Sequence, residues 1–178
     1  MEKKIDKKIL DRLNSEKESI VISTVSQLQF TGTPEILPHL CRLFFVSSSE
    51  GIKAEILNLL NNLKDENSVS YLVEALKKYK GQELYNDFVS ACWQNGLDFS
   101  DDLQIFIDLV IEQELLTAVE AFSVVEGNIS ELPDAEREKH AVYIRSKLKS
   151  LAAERKSLVK ELLHVVENVS GPLQINLN

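Results

Sequence analysis

An apolar pattern that returns roughly every 31 residues, a period typical of helical repeat proteins, constrains the fold of this chain more than any other feature. In its first copy Val21, Val25 and Leu28 stand one helical turn apart. The same spacing recurs three times, as Ile52, Ile56 and Leu59, as Leu84, Phe88 and Ala91, and as Leu115, Val119 and Phe122. The interval between successive copies is constant to within one position, so the chain repeats one structural unit.

The chain between these helices predicts a second helix in each of the first three copies. Its apolar residues are Ile36, Leu37, Leu40 and Leu43, then Val69, Leu72 and Leu76, then Leu103, Phe106 and Val110. Gly32, Gly96 and Gly127 fall where the first helices should stop, and glycine takes positive φ without steric cost. Ser15 with Glu18, and Ser47 with Glu50, have the spacing of a capping box. The sequence therefore predicts helix pairs with a core of Val25, Leu28, Ile56, Leu59, Leu63, Phe88, Phe106 and Phe122.

Residues 30–40, FTGTPEILPHL, and residues 52–60, IKAEILNLL, resemble HEAT repeats of the short bacterial kind, which also occur in phycobilisome-lyase-like proteins. The resemblance covers residues 15–130. The chain departs from the family at the turn, where the usual Asp-Pro is Thr33-Pro34 and then Asn67-Ser68, and in the near absence of the regular basic residue. The resemblance implies a right-handed α-α superhelix used as a binding surface, and it says little about activity.

The repeat pattern and the chain length together predict one all-α domain over residues 1–168, with helix pairs at 15–130, a helical segment at 131–168 and a tail at 169–178. Of the 178 residues 44% are apolar and 27% charged, which is ordinary for a folded protein. A short helix over residues 5–13 should close the first end, where Lys3, Lys4, Lys7 and Lys8 give it a polar outer face. We expect a cytoplasmic protein, because the N-terminus lacks an apolar signal region, no apolar run could span a bilayer, and both cysteines stand at core positions.

The repeat pattern fails after Pro133, where apolar residues continue at helical spacing as far as Val165. Arg155 interrupts this apolar seam. A single helix of about 34 residues would project about 50 Å and could pair with a second copy. A hairpin folded at residues 152–157 would instead cover the last repeat. Arg155 and the need to close a terminal repeat favour the hairpin, and with it a monomer over a homodimer.

Charge is distributed unevenly in this chain. The net charge is −8, and between Lys80 and Arg137 there are thirteen acidic residues but no lysine or arginine. Such a field repels nucleic acids and attracts a basic partner. The candidate partner-binding face is Asp98, Asp101, Asp102, Asp108 and Glu112. The simpler alternative is that these acids maintain solubility and favour a helix N-terminus capped by Ser100.

No stretch carries a recognisable catalytic, metal or cofactor motif. The histidines His39, His140 and His164 are scattered, and the aspartates near Asp98 lack a calcium-loop spacing. Cys92 has no basic neighbourhood in the sequence that would activate it. Two functions remain: a protein-interaction scaffold with a basic protein or peptide partner, and an enzyme on the same scaffold that is lyase-like or DNA-glycosylase-like. We favour the scaffold, because a DNA glycosylase needs a basic cleft; we predict no cofactor, no nucleic acid and no membrane partner.

Overall fold

The computed structural model describes residues 5–168, which form ten α-helices joined by turns and short 3-10 segments. This confirms the all-α prediction. The chain divides into two compact units, one ending at Leu97 and the other beginning at Asp98. The right-handed superhelix and the single domain over residues 1–168 stay predictions. The predicted tail at 169–178, and the lysines at positions 3 and 4, lie outside the described residues.

The first unit contains six helices: α1 (Lys7–Leu13), α2 (Glu18–Thr31), α3 (Leu37–Val46), α4 (Glu50–Asn61), α5 (Val69–Lys78) and α6 (Tyr85–Gln94). Corresponding helices of successive pairs contact each other, since α2 packs on α4, α4 on α6, and α3 on α5. A 3-10 turn precedes both second helices, at Pro34–Ile36 before α3 and at Glu66–Ser68 before α5. The unit therefore repeats both its contacts and its turns.

Large apolar side chains fill the core of the first unit. Five of the residues predicted to be buried are so in the structure, namely Val25, Leu28, Ile56, Leu59 and Phe88, whereas Leu63 is half-buried. The ring centroids of Phe44 and Phe88 lie 6.2 Å apart, and the ring of Phe45 stacks on Tyr79 at 4.4 Å. Aromatic packing therefore links α3, α6 and the residue that follows α5.

The helix stops differ from the sequence prediction. Of the three predicted stops, Gly96 alone has the expected positive φ, at 69°. Gly32 ends α2 with a φ of −69°, and Gly127 lies inside a helix of the second unit. Lys64, which replaces glycine in the second copy, donates through Nζ to the Asn95 carbonyl oxygen at 2.7 Å.

The predicted capping boxes are wrong. Helix α2 begins after Lys17 without a side-chain cap, and Ser15 Oγ accepts instead from the Lys17 amide at 3.2 Å. The cap of α4 is Ser49, whose Oγ accepts from the Ile52 amide at 3.1 Å. Ser47 Oγ accepts from the Ser49 amide. Nearby serines compete for the same role, and the backbone conformation selects between them.

The second unit contains four helices: α7 (Leu103–Glu112), α8 (Leu115–Asn128), α9 (Asp134–Leu148) and α10 (Ala153–Asn168). Phe106 is buried on α7, as predicted. Helix α9 packs on α10, so residues 133–168 form a hairpin rather than one rod, with its bend at residues 149–152. Helix α10 also contacts α7 and α8. Within residues 5–168, none of the helices combines the length and apolar character that crossing a bilayer requires.

Candidate functional site: the surfaces of α7 and α8

The acidic residues of the candidate face lie on α7, on the 3-10 turn that leads into it, and, in the case of Asp98, just before that turn. Asp101 and Asp102 belong to the 3-10 turn Ser100–Asp102, where Asp101 is exposed and Asp102 half-buried. Asp98 and Glu112 are exposed. Ser100 was predicted to cap the helix with its side chain, and it does not do so. Its amide instead donates to Asp98 Oδ1 at 2.9 Å, so Asp98 supplies the acceptor for the first amide of the turn.

Asp108 is held in a polar network between α7 and α9. The Tyr143 hydroxyl donates to Asp108 Oδ1 at 2.7 Å, and Gln104 Nε2 donates to the same oxygen at 2.9 Å. His140 Nδ1 lies 3.1 Å from Gln104 Oε1. Both donors share Oδ1 of Asp108, and the bond from Tyr143 joins α9 to α7.

The ionisation of this network follows from its burial and from the Asp108 charge. Burial raises the pKa of Tyr143 to about 12, and the hydrogen bond to Asp108 and the nearby Glu112 charge act in the same direction. The phenol is therefore protonated at neutral pH and can donate. Burial lowers the pKa of His140, although Glu136 and Asp108 oppose that shift. The neutral imidazole is thus favoured beside Gln104.

A second surface, which the repeat pattern missed, lies on α8. The side chains of Leu115, Leu116 and Val119 are 64%, 73% and 45% exposed. We call these three residues the α8 stripe. The repeat pattern assigns Leu115 and Val119 to core positions, and Phe122, which follows them, is only half-buried. That assignment is wrong for the fourth copy.

The error arises because the buried face of α8 lies two positions further along the chain than the repeat pattern predicts. Buried residues in and just after α6 have buried counterparts on α8 that stand 33 positions later, whereas the repeat pattern predicts about 31. The pairs are Tyr85 and Ala118, Phe88 and Ala121, Cys92 and Val125, and Asn95 and Asn128. A shift of two positions turns a helix by about 200°, since one turn takes about 3.6 residues. Leu115 and Val119, which the repeat pattern aligns with core residues, therefore point to solvent.

The thiols and the remaining histidines form no comparable site. Burial raises the pKa of Cys41 to about 12 and also raises the pKa of Cys92, so both thiols are protonated at neutral pH. His39 lies on α3 and His164 on α10. Among residues 5–168, no three or more His, Cys, Asp or Glu side chains are grouped so as to hold a metal ion.

Comparisons with known proteins show a likeness of fold only. No family model matches the chain, and no curated protein matches it. A crystal structure of an engineered protein, a target of the Northeast Structural Genomics Consortium, is similar with a TM-score of 0.51 and 12% sequence identity. The similarity covers 92% of this chain and 79% of the engineered one.

Proposed function

We propose that this chain is a HEAT-like repeat protein of the cytoplasm that acts as a scaffold for a partner with a basic surface. The observation that carries the proposal is the absence of lysine and arginine between Lys80 and Arg137, where thirteen acids occur. Several of these acids are exposed on α7 or just before it, as Asp98, Asp101 and Glu112 are.

The HEAT-like part of the proposal is supported by the helix pairs of the first unit. Corresponding helices contact each other across pairs, and a 3-10 turn introduces α3, α5 and α7 alike. Repeats of this kind bury their apolar faces against neighbours and leave extended surfaces for partners. A right-handed superhelix is the arrangement we expect.

The basic character of the partner follows from electrostatics. A surface of one sign raises the local concentration of oppositely charged partners and repels polyanions such as nucleic acids. Exposed charges interact over about 10 Å at 0.1 M salt, so the affinity should fall as salt rises.

The test begins with affinity capture from the source organism and continues with each captured protein purified. Binding is measured at low and at high salt for the native chain and for Asp101→Lys with Asp102→Lys. The matched control is Asp11→Lys with Glu74→Lys, which changes the net charge equally on exposed residues of the first unit. Asp108 is left intact, because its replacement would break the bonds from Tyr143 and Gln104.

We expect weaker binding and a smaller salt dependence for Asp101→Lys with Asp102→Lys, and no such change for the control. A partner that bound both variants and the native chain equally at all salt concentrations would show that these acids serve solubility only.

A further inference from the structure

We infer that the α8 stripe is the docking site for an amphipathic helix of a partner protein, with its apolar face on the stripe and its lysines or arginines beside it. This inference rests on the proposed function, since it names the form of the basic partner and the place where that partner binds.

Helix α8 is apolar on two opposite faces. One face is buried and contains Ala118, Ala121 and Val125, and the other carries the stripe. On a surface helix the face opposite the buried one is normally polar, so a second apolar face is unusual. Isolated exposed apolar residues are common, but three large ones within five positions form a patch of the kind that marks an interaction site.

The equivalent helix α4 shows that the stripe is not required by the repeat. The exposed residues of α4 are Glu50, Gly51, Ala54 and Asn58, which include no large apolar side chain. Both helices bury one face, so burial does not explain why α8 carries leucines on the other. Binding a partner does.

The charges around the stripe identify the occupant. Glu114 comes directly before α8 and Glu126 lies on its solvent-facing side near the stripe, and both are exposed. Arg155 lies close to the start of α8, but its guanidinium is bound to the carbonyl oxygens of Val110 and Gln113. A second copy of this chain would bring like charges together, which costs free energy, whereas lysines and arginines would complement them.

The spacing of the stripe fits a helix in particular. Leu115 and Val119 are four positions apart and form one ridge, with Leu116 beside it. Such a ridge packs into a groove on a second helix, and the apolar residues of that helix would recur at three- and four-residue spacing. The acids then flank the polar edges of that helix.

The experiment uses the full chain and three synthetic peptides of about 18 residues, which is five helical turns. The first peptide has leucine on one helical face and lysine on the other. The second has the same composition in scrambled order, and the third replaces every lysine by glutamate. Binding is measured by fluorescence anisotropy for the native chain, for Leu115→Ser with Leu116→Ser, and for the control Phe30→Ser, which removes an exposed aromatic of the first unit.

We expect the amphipathic leucine-lysine peptide to bind at least about tenfold more tightly than either other peptide, because two buried leucines are worth more than one factor of ten. The double serine variant should lose that advantage, and Phe30→Ser should keep it. Circular dichroism of each variant verifies that the helical fold is retained.

Four outcomes would overturn the inference. Equal binding of the scrambled peptide would mean that charge alone acts, which leaves the proposed basic partner standing. Equal binding of the glutamate peptide would also contradict the basic partner. A dimer of the native chain by light scattering that becomes a monomer in the double serine variant would make a second copy the occupant. Binding of none of the peptides would show that the stripe does not take such a helix.

Discussion

The guanidinium of Arg155 on α10 donates to the carbonyl oxygen of Val110 at 3.2 Å, near the C-terminal end of α7. It also donates to the carbonyl oxygen of Gln113. The last carbonyls of a helix have no partner within that helix, and arginine can satisfy them. Arg155, which interrupts the apolar seam of the C-terminal segment, thus attaches α10 to the end of α7.

Replacing Arg155 by leucine should destabilise the chain, even though leucine would complete the apolar seam. Hydrogen bonds from a charged group contribute about 1.5–3 kcal/mol, and the two carbonyls would lose them. Urea denaturation measures the free energy of unfolding. Arg145→Leu is the control and should change it little, because Arg145 pairs with Glu138 and Glu167 on the surface. An Arg155→Leu variant as stable as the native chain would contradict this role.

Asn128 should be more important for stability than an ordinary polar residue near a helix end. Its Oδ1 accepts from the amide of the buried Phe99 at 2.8 Å, and its Nδ2 donates to the Val124 carbonyl at 2.8 Å. Asn128→Ala leaves the Phe99 amide unpaired, which should cost about 1–3 kcal/mol. Asn62 is exposed, so Asn62→Ala should change the unfolding free energy by less than about 0.5 kcal/mol. Equal effects of the two substitutions would be evidence against the buried bond.

Two glycines should respond in opposite directions to alanine. A Cβ at Gly32 would lie 2.5 Å from the Leu28 carbonyl oxygen, so the backbone must shift and Gly32→Ala should destabilise. A Cβ at Gly127 would meet nothing within 4 Å. Since Gly127 lies within α8, Gly127→Ala should stabilise by about 0.5–1 kcal/mol. Thermal unfolding followed by circular dichroism compares the two variants. A loss of stability in Gly127→Ala would contradict the placement of Gly127 inside α8 with open space around it.

Val25 and Val119 test the register of α8 with one type of substitution. The two valines are equivalent in the repeat pattern, but Val25 is fully buried and Val119 is 45% exposed. Val25→Ala should lower the unfolding free energy by about 2 kcal/mol, and Val119→Ala by less than about 0.5 kcal/mol. Similar losses of unfolding free energy in both variants, measured by chemical denaturation, would mean that Val119 is buried as the repeat pattern predicts.

Stability should fall as the pH drops below about 6.5, partly through His140. Burial lowers the pKa of His140 below its ordinary value of 6.5. As the pH falls through that value, the unfolded chain binds the proton first, so unfolding becomes easier until the lower folded pKa is passed. The native chain should therefore lose stability relative to His140→Gln between about pH 7.5 and 5.5. Denaturation curves of both proteins at the two pH values measure this, and parallel losses would mean that His140 does not contribute.

The helical class of this chain could be predicted from its sequence because apolar residues at three- and four-residue spacing have one low-energy arrangement. The core positions Val25, Ile56 and Phe88 follow directly from that spacing. The charge asymmetry that carries the proposed function is likewise a property of the sequence. These features depend on residues that are near one another along the chain.

Only the tertiary structure decided which face of α8 is buried, because α8 carries apolar residues on both faces and either register satisfies the local pattern. The repeat pattern therefore could not predict that the α8 stripe is exposed. Arg155 and Asp108 show the same limit of local sequence patterns. In the sequence, Arg155 looks like an interruption of an apolar seam, and Asp108 looks like one more surface charge in an acidic run. Their partners, Val110 and Tyr143, are 45 and 35 residues away in sequence. Hydrogen bonds over such separations exist only once the helices have packed, so local sequence patterns do not encode them.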